Sequence, residues 1–276
     1  MLKFRIIGFI LLISLLSGIF FWRPYGWYLF LAAAPLMAAL AVYECAKMLH
    51  DSGRKNFPAV VAELFYITAM LTILNQFTTA VIVCGAAAGI GGGVILLKKK
   101  DELLERVLVS GGVFMLLAPA MLGFLSSYNC TAGGVPAGTW LLFSCLATKA
   151  TDTGGYIFGM LTSKLLGGNH KLAPSLSPKK SWEGLAGGIV LSLTVGTVFA
   201  LLTSYAPSWW YLTAAAVLSL GSFFGDLAES AVKRMCDVKD SGHWVPGMGG
   251  AFDVLDSFIF NGIVFPVLIV LLEMVL

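Results

Sequence analysis

Apolar runs alternate with short polar stretches along almost the whole chain. Nine of these runs have about the 17–25 residues that an α-helix needs to cross a bilayer. They fall at residues 4–22, 27–43, 57–74, 78–97, 108–125, 138–162, 184–204, 209–225 and 257–275. Each predicts a helix, because a segment in lipid must satisfy its own backbone hydrogen bonds. Between the third and fourth runs, Asn75-Gln76-Phe77-Thr78 leaves length only for a tight hairpin. The first run follows Lys3 and Arg5 as the core of a signal peptide would. It has no clear small-residue cleavage site and further runs follow, so it reads as a retained helix.

Composition supports the same reading. Hydrophobic residues make up 58% of the 276 positions and charged residues only 12%, against about 25% charged in a soluble domain. The mean hydropathy is +0.87. One water-soluble core cannot bury that much apolar side chain, so lipid is the expected solvent. Lys and Arg then set the orientation. Lys3, Arg5, Lys47, Arg54, Lys55, Lys98, Lys99, Lys100, Arg106, Lys164, Lys171, Lys179, Lys180, Lys233, Arg234 and Lys239 all fall on one side of the nine-helix arrangement, and the opposite loops hold only Arg23. The positive-inside rule makes the basic side, with the N-terminus, cytoplasmic. The expected fold is all-α and polytopic, an integral protein of the cytoplasmic membrane. Residues 1–125 are expected to supply N-terminal transmembrane helices, and residues 126–276 a transmembrane region that carries the polar motifs.

Several function classes drop out. The net charge of +3 comes without a basic, aromatic-rich surface, so no nucleic-acid partner is expected, and Lys98–Lys100 read as a headgroup anchor. The cysteines at 45, 84, 130, 145 and 236 form no CxxC pair, and His50, His170 and His243 lack ligand spacing, so they point to packing rather than zinc. Gly85, Gly89 and Gly93 line one helix face as a close-packing stripe. Glu63 within a span reads as an interhelical tie.

Three polar constellations remain, and charge inside a span defaults to a functional site. Lys149, Asp152 and Tyr156 lie three and four residues apart, so they share a helix face; this fits either a neutralised ion pair or a site for an ion or anionic substrate. The stretch from His170 to Gly184 holds Lys171, Pro174, Ser177, Pro178, Lys179, Lys180, Ser181 and Glu183. Ser181 can cap the following helix, whose N-terminus favours an anion beside the lysines. The third runs from Gly225 to Asp256 and holds six acids. Asp226, Glu229 and Lys233 fall on one side of a helix that prolongs the eighth run, with Ser230 and Arg234 beside them; Asp253 and Asp256 precede the ninth run. Asp226, Glu229, Asp253 and Asp256, converging from two helix ends, form a hard-oxygen set suited to Mg²⁺. Lys233, Arg234 and Lys239 would neutralise phosphate charge. An interfacial salt-bridge network is the plainer alternative.

These residues carry a resemblance. The block Ser230-x2-Lys233-Arg234-x4-Lys239-Asp240-Ser241-Gly242-His243-x2-Pro246-Gly-x-Gly-Gly-x2-Asp253-x2-Asp256-Ser257 resembles the signature of phosphatidate cytidylyltransferases, also called CDP-diacylglycerol synthases. The runs Asp152-Thr-Gly-Gly-Tyr156 and Lys171-Leu-Ala-Pro174-x2-Ser177-Pro178-Lys179-Lys180-Ser181-x-Glu183 are similar to a second conserved region of that family. The resemblance covers roughly residues 150–257.

The resemblance implies CMP transfer from CTP to phosphatidic acid with release of pyrophosphate, in a polar cavity open to the cytoplasm and lipid. It implies a catalytic set of Asp226, Lys239, Asp240, His243, Asp253 and Asp256, with Mg²⁺ on Asp226, Glu229, Asp253 and Asp256. Lys149, Asp152, Lys171, Ser177, Lys179, Lys180, Ser181, Glu183, Ser230, Lys233 and Arg234 would handle substrate. A homo-oligomer is compatible with this reading. The chain departs from the family pattern at Met248 (usually His), Val254 (usually Arg) and Met160 (often basic). These side chains cannot donate to phosphate, which leaves His243 or Lys239 to compensate. Another lipid phosphate as acceptor, an ion-coupled transporter and an inactive binding relative are the competing readings.

Overall fold

A computed structural model describes residues 14–22, 25–73, 101–165, 168–174, 176–245 and 249–276. Several expected features lie outside the described residues: Lys3, Arg5, Arg23, the hairpin at 75–78, the run at 78–97 with its glycine stripe, Lys98–Lys100, and Pro246–Met248. The described residues are almost entirely helical. In chain order they form α1 (Gly26–Asp51), α2 (Pro58–Ile73), α3 (Asp101–Ser126), α4 (Thr139–Leu165), strands β1 (Lys171–Ala173) and β2 (Ser177–Ser181), α5 (Trp182–Leu202), α6 (Ser208–Met235), α7 (Ala251–Leu255) and α8 (Phe258–Glu273). Among the described residues, four helical stretches are long and apolar enough to cross a membrane: Gly26–Asp51, Trp182–Leu202, Ser208–Met235 and Ala251–Glu273. This is the build of an integral membrane protein.

The chain forms two compact units. One comprises residues up to Leu125 together with Val232–Leu255, and the other Ser126–Ala231 with Asp256–Leu276. In the first unit, α1 and α2 form a helical hairpin. Gly53 ends α1 at φ +93°, a conformation that glycine adopts without a Cβ clash. The buried Asn56 amide donates to the Ala46 carbonyl at 2.7 Å and ties the turn back onto α1. The Ser110 hydroxyl of α3 accepts from the Phe57 amide at 2.9 Å. Helix α6 ends within this unit on Asp237, which lies in the left-handed region (φ +53°) while the Val238 amide reaches back to the Lys233 carbonyl at 3.0 Å. That is a Schellman closure, and Lys233 and Arg234 in the last turn complement the helix dipole.

In the second unit, α4 and α5 meet through small residues. A Cβ on Gly154 would sit 2.5 Å from the Gly187 carbonyl oxygen, and one on Gly188 would sit 2.9 Å from that of Thr151. Small residues let helices in lipid gain van der Waals contact that larger ones prevent. Gly154→Val is therefore expected to abolish recovery of monodisperse protein, judged by size exclusion in detergent. Gly155→Ala, whose Cβ would lie 3.6 Å from the Gly184 oxygen, should leave recovery unchanged. The core of this unit is aromatic: Trp140, Phe143, Trp210, Tyr211 and Phe265 are buried together. Both indoles are satisfied, Trp140 by the Ala132 carbonyl at 3.0 Å and Trp210 by that of Leu268 at 3.2 Å, as buried Trp requires.

The 170–184 stretch, read from sequence as a loop, contains a short antiparallel hairpin. Lys171 pairs with Ser181 and Ala173 with Ser177, with an irregularity between them. The sequence reason is local. Pro178 lacks an amide and suits a two-stranded edge, and Ser181 stops the strand by capping α5.

Candidate active site

The hairpin and helices α4, α5 and α6 line a half-open cavity of about 270 Å³ in the second unit, near the lower end of the ~300–1,000 Å³ usual for small-molecule sites. Helix α4 contributes Thr151, Asp152 and Tyr156; β2 contributes Ser177, Lys179 and Lys180; α6 contributes Ser222, Phe223 and Asp226.

Lys179, Lys180, Asp152 and Asp226 line it, and Lys149 and Asp256 adjoin Asp152 directly or through Ser257. Lys180 pairs with Asp226 Oδ2 at 3.0 Å, donates to the Phe223 carbonyl at 3.1 Å and lies 4.5 Å from the centre of the Phe223 ring. Asp152 Oδ1 accepts from the Ser222 hydroxyl at 2.8 Å, and its Oδ2 accepts from Lys149 at 2.9 Å. The Ser257 hydroxyl lies 2.9 Å from both Asp152 Oδ2 and Asp256 Oδ1. One hydroxyl carries one proton and can donate to only one of these oxygens, so Ser257 bridges two carboxylates that share a single donor. The Asp226, Asp256, Asp152 and Lys149 charges act on one another directly. Three carboxylates and three lysines, Lys149, Lys179 and Lys180, thus meet at and beside the cavity, among helices where uncompensated charge is costly.

The close approach of α6 and α8 brings these acids together. Gly225 lies against the Asp256 carbonyl, which any Cβ at that position would meet. Behind the acids, the Asn261 amide donates to the Thr148 hydroxyl at 2.8 Å and the Leu218 carbonyl at 3.0 Å, tying α4, α6 and α8 in a second polar layer.

A divalent cation fits this donor set. Asp226 Oδ1 is buried and, among the described residues, has no hydrogen-bond partner. Among the described residues, no three acidic, imidazole or thiol groups converge as in an all-protein metal cage. Magnesium does not need such a cage, because it binds through one or two carboxylates and completes its shell with water and substrate phosphate.

The base of the hairpin is fastened on both sides. Asn169 donates to the Gly159 carbonyl at 2.6 Å and accepts from the Thr162 hydroxyl at 3.0 Å. Glu183 accepts from the His170 amide at 3.1 Å and from its ring Nδ1 at 2.6 Å. The Ser181 hydroxyl accepts from the Gly184 amide at 3.1 Å, the N-cap expected from the sequence. Glu183, expected to touch substrate, thus braces the hairpin that carries Ser177, Lys179 and Lys180.

In the first unit, Asp253 is strongly engaged. Its Oδ1 pairs with Lys233 at 2.9 Å, and its Oδ2 accepts from the amides of Ser241 at 3.0 Å and Gly250 at 2.8 Å. Arg234, Lys239, Asp240 and His243 are exposed near it along the chain, as are Lys171 and Lys179 in the other unit; Ser230 is half-buried and Glu229 buried. The structure therefore groups Lys149, Asp152, Lys180, Asp226 and Asp256 within the second unit and pairs Lys233 with Asp253 within the first. Sequence reading missed Ser222, which precedes Asp226 by one helical turn, and assigned Ser257 no role. It also passed over Glu44, a lone acid in α1.

With this geometry in hand, comparison with known proteins is informative. The sequence profile of the cytidylyltransferase family matches residues 3–272. A phosphatidate cytidylyltransferase of Staphylococcus saprophyticus is 40% identical over 159 residues, which make up 57% of each chain. One of Staphylococcus epidermidis is 41% identical over the same length and share. One of Bacillus subtilis is 43% identical over 123 residues, 44% of each chain. The aligned stretches span about half the length of these curated relatives, 57% of the Staphylococcus proteins and 44% of the Bacillus one.

Proposed function

Because the chain belongs to the cytidylyltransferase family, we propose that it transfers CMP from CTP to phosphatidic acid, giving CDP-diacylglycerol and pyrophosphate. The observation that carries this reading is the cavity lined by Asp152, Asp226, Lys179 and Lys180, with Lys149 and Asp256 adjoining it, among membrane-type helices. Such a set suits two polyanionic phosphates and a cation, and few other ligands need it. A phosphatidate oxygen attacks the α-phosphorus of CTP. A new O–P bond forms, the Pα–O bond to the β-phosphate breaks, and the electron pair leaves with pyrophosphate. The attacking phosphate is already ionised at neutral pH, its second pKa being about 6, so no side chain has to remove a proton.

Asp226 and Asp256 are the residues that would hold Mg²⁺, which when bound offsets the phosphate charge. Lys179 and Ser177, on the cavity wall, receive phosphate oxygens, and Lys180 keeps Asp226 oriented. Lys149 and Ser222 fix Asp152, the Ser257 amide holds Asp256, and the Ser257 hydroxyl donates to one or other of these carboxylates. Asp253 holds the amides of Ser241 and Gly250. In this reading the helices form nine spans in the cytoplasmic membrane with the N-terminus in the cytoplasm, and the cavity opens to that side. Acyl chains lie against the apolar helices.

The test is pyrophosphate release from CTP by detergent-purified protein, with phosphatidate, an isoprenyl phosphate or no lipid. Release that requires phosphatidate is expected. Release with the isoprenyl phosphate alone would keep the chemistry and change the acceptor. No release with either lipid, in protein that elutes as a folded species, would remove the reading.

A further inference from the structure

Glu44 lies within α1, an apolar helix, and is only 2% exposed. An acid in that setting costs free energy unless something needs it. Among the described residues, its hydrogen-bond partners belong to one distant stretch of chain. Its Oε2 accepts from the Ser241 hydroxyl at 2.9 Å and from the Phe252 amide at 2.9 Å. Gly242 lies against Oε1, and Gly250 against Oε2 and the Ser241 hydroxyl; a Cβ at either glycine would collide with the Glu44 carboxylate. The signature loop is thus moulded around this one side chain.

Glu44 and Asp253 grip the same loop from different points. Glu44 holds the Ser241 side chain and the Phe252 amide, while Asp253 holds the Ser241 and Gly250 amides. Ser241 is consequently held through both its side chain and its backbone. Phe252 is the second residue of α7, so Glu44 also sets where that helix begins. Along the chain, α7 ends at Leu255 and Asp256 follows.

We propose that Glu44 is a positioning residue for the reaction, fixing Ser241, Gly242 and the Gly250–Phe252 stretch that leads along the chain to Asp256. This inference rests on the cytidylyltransferase reading above. A displacement of about 1 Å in a reacting constellation can cost about 10²-fold in rate, which sets the expected scale. Glu44→Met removes both acceptor bonds at similar length. Glu44→Gln keeps one oxygen that can accept from both Ser241 and Phe252.

Two measurements decide it. In steady-state kinetics with CTP and phosphatidate, Glu44→Met is expected to lose about 10²-fold in kcat with KM for CTP changed less than about threefold. Glu44→Gln should recover most of that loss. Adding Ser241→Ala to Glu44→Met should cost little more, since the bond is already gone. In hydrogen exchange, the amides of residues 241–252 should exchange faster in Glu44→Met than in the parent, and in Glu44→Gln at close to the parental rate. A folded Glu44→Met with unchanged kcat or unchanged exchange overturns the proposal. So does a Glu44→Gln as impaired as Glu44→Met. If the parent itself releases no pyrophosphate, the reaction reading falls with it, and the exchange arm alone decides whether Glu44 fixes this segment.

Discussion

Asp226→Asn is expected to lower CTP-dependent pyrophosphate release by about 10³-fold, at the upper end of what loss of one preorganised electrostatic contact costs. The substitution keeps the side chain's shape and removes its charge. Two things about Asp226 make the effect large. Its Oδ2 already holds Lys180, while its Oδ1 is buried without a hydrogen-bond partner among the described residues. An oxygen kept in that condition costs free energy unless a ligand completes it. An amide can offer a neutral oxygen or an NH₂ group at that position, and neither balances a cation beside phosphate. The Mg²⁺ concentration for half-maximal rate should therefore rise by about tenfold or more, since each factor of ten needs only about 1.4 kcal/mol. The assay is a magnesium titration of pyrophosphate release, with a matching size-exclusion profile as the control for folding. A variant with parental rate and parental magnesium dependence would remove Asp226 from the reaction.

The helices were legible because lipid leaves the backbone little choice. Apolar runs at 27–43, 57–74, 184–204 and 257–275 correspond closely to α1, α2, α5 and α8, and α6 continues past its apolar run to carry Asp226 and Glu229, as the spacing predicted. Contacts between near neighbours were legible too: Lys149 pairs with Asp152 one turn away, and Ser181 caps the helix that it precedes. Contacts set by tertiary approach were not. Asp253 and Asp256 both precede the ninth run and are expected from the sequence to converge with Asp226 and Glu229 on one cation. The helix that holds the first ends at Leu255, however, so Asp253 meets Lys233 and the loop amides while Asp256 meets Ser257. No periodicity reveals such a break. The hairpin was too short to show an alternating pattern, and its second strand contains a proline and two lysines. Glu44 was overlooked for the same reason that makes it informative: its partners lie about two hundred residues further along the chain.

Lys180→Met is expected to remove activity and to destabilise the protein, and adding Asp226→Asn should return most of the stability and none of the activity. The argument turns on what each change leaves behind. The Lys180 and Asp226 side chains are 17% and 26% exposed, respectively, and pair at 3.0 Å. Removing the lysine alone strands a carboxylate that has already lost much of its water. Breaking such a pair costs about 3–5 kcal/mol when fully buried, and about 1.5–3 kcal/mol is the scale for a charged hydrogen bond with some solvent access. Lys180 also gives up its bond to the Phe223 carbonyl and its place over the Phe223 ring, so the methionine variant loses contacts that the second substitution cannot restore. Neutralising Asp226 removes the stranded charge, and replacing both members of a buried ion pair is often neutral. Thermal unfolding in detergent of the parent, both single variants and the double variant gives the coupling directly. A double variant more stable than Lys180→Met yet still inactive means that the pair is kept for chemistry rather than for folding. Losses that simply add would mean that the two side chains act independently, and the orientation of Asp226 by Lys180 would then have to be abandoned.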